Sequence, residues 1–142
     1  MPVQPIAVVG LSCRFPQANS PAAFWRVLSE GIDAIRPVPP DRWDVDRYWH
    51  AEAGTPGHTV AREGGFVDGM GEFDSDFFRI SPREAAQLDP QQRLLLELAW
   101  EAFEDAGRRP GELRAGVFVG VAASEYGRRF APLRTDRGEP HA

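Results

Sequence analysis

Apolar residues occur in two kinds of run along this chain. Two are short and unbroken, Ile6-Ala7-Val8-Val9 and Val117-Phe118-Val119-Gly120-Val121. Runs of that length without alternation read as strands buried on both faces, with Gly10 ending the first and Gly116 preceding the second. Other runs space their apolar residues for a helix. Ser20-Pro21 opens one, with Phe24, Val27 and Leu28 on a shared face and Gly31 at the exit. Ser81-Pro82-Arg83-Glu84 is a capping box with proline in the first turn and predicts a short helix to about Leu88. The strongest signal runs from Asp89 to Gly107: Asp89 caps, Pro90 starts the helix, Gln92 can reach back, and Gly107 suits a left-handed exit. Leu95, Leu98, Ala99, Ala102 and Ala106 form its stripe. Leu94, Leu96, Trp100 and Phe103 widen that stripe, so burial on more than one side is expected.

Strand and helix alternate, which places the chain in the α/β class. Residues 35–71 break the pattern with Pro37, Pro39, Pro40, Pro56, six glycines and the aromatics Trp43, Tyr48 and Trp49. An irregular excursion held by aromatic anchors is expected there. From Pro132 no large apolar residue follows Leu133, so residues 1–131 read as one unit and 132–142 as a polar, disordered tail. No internal repeat is visible.

Composition narrows the chemistry. The 142 residues are 42% apolar and 26% charged, a soluble globular profile, and a chain near this size can bury roughly 68–70% of its unfolded surface. The net charge is −5 and the basic residues are all arginine. A nucleic-acid partner is therefore not expected, and the absence of lysine removes any Schiff-base or P-loop lysine. No apolar stretch reaches membrane-spanning length and no basic-then-apolar leader opens the chain, so a cytoplasmic setting is expected. A single cysteine excludes an internal disulfide or a multi-thiolate metal site.

Candidate reactive residues have plainer readings. Cys13 sits beside Arg14, which favours a thiolate, yet no histidine is near it in sequence and a lone cysteine usually packs as core. His50, His58 and His141 lack metal-ligand spacing. Asp41, Asp44 and Asp46, with Glu72, Asp74 and Asp76, lack the glycine and terminal glutamate of a calcium loop and read as turn and cap residues. Val9-Gly10 ends a strand without the Gly-x-Gly-x-x-Gly of a dinucleotide site. No catalytic, cofactor-binding or metal-ligating residue is assigned.

Several segments together resemble the N-terminal portion of a β-ketoacyl synthase domain of modular type I polyketide synthases. They are the run from Pro5 to Pro16, Phe24-Trp25 with Leu28, Gly31-Ile32-Asp33-Ala34-Ile35, Pro40-Asp41-Arg42-Trp43-Asp44 and Arg62-Glu63-Gly64-Gly65-Phe66. Phe73-Asp74 with Phe77-Phe78, Ile80 to Ala85, the helix opened by Asp89-Pro90-Gln91-Gln92-Arg93, and Gly116 to Gly120 complete the set. The resemblance is collinear from about Pro5 to Phe130.

It implies a partial thiolase-like α/β fold, the N-terminal part of the first half, with a mixed sheet and covering helices. It also implies a parent acyltransferase of polyketide or fatty-acid-type biosynthesis. Such an enzyme accepts an acyl chain onto a cysteine and condenses it with a malonyl-type extender by decarboxylation. The implied partners are an acyl carrier protein, whose phosphopantetheine carries the substrates, and a second ketosynthase subunit; no directly bound cofactor is implied. The family's nucleophilic cysteine, two histidines and lysine have no match here, and Cys13 falls on a different motif. The expectation is a truncated, inactive ketosynthase; the alternatives are a non-catalytic partner of a ketosynthase or carrier protein, or a gene fragment without independent function. A helix apolar on several faces with few neighbours predicts poor solubility, oligomerisation or loose packing.

Overall fold

The computed structural model describes residues 5–122, 124, 126 and 127; the expected tail at 132–142, with His141, lies outside them. Ser20 caps α1 (Pro21–Ser29) by accepting the Ala23 amide, and Gly31 takes the left-handed backbone at φ 63° as the exit residue. Ser81 caps α3 (Pro82–Gln87) through the Glu84 amide. Asp89 caps α4 (Pro90–Asp105) through the Gln91 amide, and Gly107 turns the chain away at φ 61°. All three helices begin on a serine or aspartate followed by proline, because these residues supply an acceptor and a preset φ where orphan N–H groups need them.

The excursion is more ordered than its sequence predicts. Strands β1 (Ile35–Pro37) and β2 (Glu63–Gly65) pair antiparallel, Ile35 opposite Gly65 and Pro37 opposite Glu63. Between them lies a single helical turn, α2 (Val45–Tyr48), capped by Asp44. Aromatic anchors hold the loop as expected: Trp43 meets Phe66 edge-on, Trp49 donates its indole N–H to the Val60 carbonyl, and Arg62 stacks over Trp49 at 4.9 Å. Periodicity could not reveal a ladder this short with two glycines in one strand.

The two expected core strands are not formed. Residues 6–9 and 117–121 lie outside any strand, with Ile6 94% and Phe118 97% exposed. A strand exists only through hydrogen bonds to a neighbour, and the described residues supply none to either run. For the same reason α4 is not buried on several sides; Leu95, Leu96 and Trp100 remain exposed. Among the described residues the buried apolar residues are Ala18, Val38 and Ala85, and of these Ala18 is fully enclosed. What remains is a partial α/β unit, a small sheet and helices, with α4 as its backbone.

The chain before α1 lies along α4. Gly10 approaches so closely that a Cβ there would stand 2.2 Å from the Ala102 carbonyl oxygen and 2.8 Å from the Ala106 Cβ. One residue on, the Leu11 amide donates to Asp105 at 2.9 Å, and the Ser12 hydroxyl donates to the Leu98 carbonyl at 2.6 Å. A Pro16-Gln17 turn then closes on itself, Ala18 N–H to Phe15 carbonyl, with Gln17 at φ 60°.

Candidate functional site

A cleft of about 660 Å³ opens between residues 14–19, residues 68–78 and α4. Its wall carries Asp68, Glu72, Asp74, Glu97, Glu101 and Glu104 against a single cation, Arg14. Aromatics floor it: Phe77 meets Trp100 edge-on at 4.7 Å and Phe78 at 5.0 Å, while Phe73 stacks on Phe78.

Arg14 organises this site. Its guanidinium forks onto both carboxylate oxygens of Glu101 and also donates to the carbonyls of Cys13 at 3.1 Å and Asn19 at 3.0 Å. The hydrogen bonds it donates to Glu101 hold the guanidinium more firmly protonated than usual, against the opposing effect of its burial. Arginine suits the position because its planar fork matches a carboxylate bidentately. One turn earlier on α4, burial pushes the Glu97 carboxyl above its ordinary value; Arg14 pulls it back and Glu101 pushes it further up. The Asp89 carboxyl is lowered, first by the Ser124 hydroxyl and then by the Gln91 amide. Arg14 and Asp89 fasten one segment to another, and among the described residues no thiol or hydroxyl side chain lines the cleft.

The residues weighed from sequence are dispersed. Cys13 is a half-buried free thiol whose carbonyl serves Arg14. His50 and His58 share the excursion with rings edge-on at 5.7 Å. His50 Nδ1 accepts the Glu52 amide at 3.1 Å, and His58 Nδ1 lies 2.9 Å from the Pro56 carbonyl, an oxygen that can only accept. The acidic series does cap and turn work: Asp44 accepts the Arg47 amide, Asp74 the Phe77 amide, and Asp46 pairs with Arg62. Among the described residues no three histidine, cysteine or carboxylate groups gather as a metal site. The Arg14–Glu101 fork was not legible, since its partners stand 87 residues apart and nothing in a single sequence links them.

A family model described as the β-ketoacyl synthase N-terminal domain matches residues 3–140. Polyketide synthase GfsA of Streptomyces halstedii is 54% identical over 127 residues, covering 86% of this chain and 2% of that protein. The spectinabilin polyketide synthase system protein NorB of Streptomyces orinoci is 50% identical over 140 residues, covering 95% of this chain and 6% of that one. Among solved structures, the ketosynthase from module 6 of the bacillaene synthase of Bacillus subtilis 168 superimposes with a TM-score of 0.72 at 38% identity. It covers 86% of this chain and 21% of its own. The oxazolomycin ketosynthase domain OzmH KS7 of Streptomyces albus JA3453 gives 0.64 at 42% identity, over 69% of this chain and 17% of that one. The chain thus spans a small fraction of each relative.

Proposed function

The chain belongs to the β-ketoacyl synthase N-terminal domain family, and from that premise we propose that it is the opening portion of a ketosynthase that condenses carrier-bound acyl and malonyl-type units. The residues correspond to part of a polyketide synthase ketosynthase domain of thiolase-like fold. The whole domain's reaction joins an acyl thioester to an extender, releasing carbon dioxide, with both substrates on the phosphopantetheine of acyl carrier protein and the enzyme paired as a homodimer.

We place no catalytic residue in these 142 positions. Decarboxylative condensation calls for an activated thiolate, an oxyanion hole and cationic or hydrogen-bonding groups at the leaving carboxylate. The chain has no lysine, and its one thiol lies on the turn that fastens residues 10–14 to α4. The observation that carries the reading is the family match across residues 3–140, beside a cleft whose lining cation, Arg14, is already engaged by Glu101. Among the described residues no helix is long and apolar enough to cross a membrane; a cytoplasmic setting without nucleic-acid partners completes the proposal. The test supplies the purified chain with acyl- and malonyl-carrier protein and follows carbon dioxide and ketoacyl product. No turnover above a protein-free control is expected, and turnover would refute the reading.

The exposed Leu95, Leu96 and Trp100 on α4 favour a second reading, a non-catalytic partner of an intact ketosynthase. Absence of co-purification at micromolar concentration counts against it.

A further inference from the structure

The tip of the excursion, residues 48–59, is closed by its own backbone. The His50 amide donates to the Thr59 carbonyl at 2.9 Å, the Thr59 amide to the Tyr48 carbonyl at 2.8 Å, and the His58 amide to the Thr55 carbonyl at 3.1 Å. Two exposed imidazoles stand on this closure, His50 and His58, with rings 5.7 Å apart. Their hydrogen bonds require opposite things of the same ring atom.

His50 Nδ1 accepts the Glu52 amide at 3.1 Å, so this nitrogen is bare and the proton of the neutral ring sits on Nε2. His58 Nδ1 lies 2.9 Å from the Pro56 carbonyl, an oxygen that only accepts, so this nitrogen carries a proton. Charging the two rings therefore has unequal effects. His58 keeps its bond to Pro56, because an imidazolium still has a proton on Nδ1. His50 loses its bond, because the arriving proton occupies the lone pair at which the Glu52 N–H points. That proton has another partner: the Thr55 hydroxyl oxygen stands 3.0 Å from His50 Nδ1 and itself donates to the Glu52 carbonyl at 2.9 Å.

We propose that the tip is a pH-sensitive device: neutral His50 fastens the Glu52 amide to its ring, and protonation turns the ring's bond over to Thr55 and frees residues 51–54. The closed form holds no proton on His50 Nδ1 and the open form can, so acid favours opening. Histidine changes charge between roughly pH 5 and 8, and the tip opens as pH falls through that range. The other ionisable groups of the tip are the Glu52 carboxylate and His58; two charged rings repel, which acts in the same direction as the lost bond. At the base stand Arg62, paired with Asp46 and stacked on Trp49, and Arg47 over the Tyr48 ring, fixed charges across this range. The device is local to the lobe and stands apart from the ketosynthase reading.

Nuclear magnetic resonance of the full chain tests it. At about pH 8, above the usual histidine range, the ring nitrogens should show His50 protonated on Nε2 and His58 on Nδ1; the same tautomer in both rings overturns the proposal. Exchange of the Glu52 amide is compared with that in His50→Ala at each pH, which cancels the catalyst's own pH dependence. At about pH 8 it should be roughly two- to tenfold slower than in His50→Ala, as one net hydrogen bond provides. By about pH 6 the difference should shrink in step with the charging of the His50 ring, read from that ring's own proton shifts. His50→Asn places an acceptor that does not titrate at the position of Nδ1 and should hold the amide equally at both pH values. Protection of the Glu52 amide that stays constant while the His50 ring charges, or that falls with pH in His50→Asn as well, overturns the proposal.

Discussion

Replacing Gly10 by alanine tests whether residues 10–14 are held on α4 by close backbone approach. The added Cβ would lie 2.2 Å from the Ala102 carbonyl oxygen, a backbone atom that cannot rotate away, and 2.8 Å from the Ala106 Cβ. A carbon–oxygen contact settles near roughly 3.3–3.6 Å, so the segment must retreat by about 1 Å. That retreat carries the 2.9 Å bond from the Leu11 amide to Asp105 past hydrogen-bonding range. Overpacking of this kind costs about 1–3 kcal/mol, which raises the open population of the segment roughly 5- to 150-fold. Amide exchange at Leu11 reads that population directly, without requiring the whole chain to unfold in one step. The control is Gly71→Ala, where the new Cβ meets nothing within 4 Å and the backbone is not left-handed. Exchange at Leu11 that matches the Gly71→Ala control within twofold would refute the close-approach argument.

Other substitutions probe the remaining contacts. Arg14→Lys keeps the charge but loses the fork onto Glu101 and the donations to Cys13 and Asn19; it should weaken docking of residues 10–14 by about 1 kcal/mol, read as faster Leu11 exchange, and unchanged exchange would contradict the role given to the fork. Gln17→Gly relieves a left-handed residue at φ 60° and should stabilise the turn by about 0.5–1 kcal/mol, seen as slower exchange of the enclosed Ala18 amide; faster exchange would mean that the Gln17 side chain contributes more than its backbone costs. Glu97 has a folded carboxyl pKa raised above its unfolded value, chiefly by burial. The folded state therefore binds this proton more tightly, and stability from this group falls as pH rises from the ordinary glutamate value through the raised one. Glu97→Gln should remove that loss, so its urea midpoint, followed by helical circular dichroism, should gain on the unaltered chain as pH rises from 4 to 7. A constant difference between the two across that range would count against the desolvation account.

What the sequence disclosed was local. Ser20, Ser81 and Asp89, each followed by proline, marked helix starts because a cap acts within a few residues of itself. Gly31 and Gly107 marked exits because a left-handed backbone is written into glycine. The β1–β2 ladder joins residues 26 to 30 positions apart through two glycines and left no periodic trace. The Gly10 approach and the Arg14–Glu101 fork depend on where α4 returns in space. Residues 6–9 and 117–121 are not strands for a different reason: an apolar run records the environment a segment requires, not whether the described residues supply its partner. The family resemblance supplied what periodicity could not, since its motifs are spread across the same elements whether or not the surrounding domain is present.

The short ladder between β1 and β2 also makes the excursion a self-closed lobe. Its two ends are fastened side by side, so whatever happens between Val38 and Arg62 is felt at one narrow stem. The tip, where Gly54 at φ 85° and Gly57 at φ 74° turn the chain with open space around them, is a port for added sequence. Doubling a flexible loop adds only about 0.6 kcal/mol of closure entropy. A fluorophore or affinity peptide spliced there would ride on the lobe, leaving the α4 face free for whatever binds it.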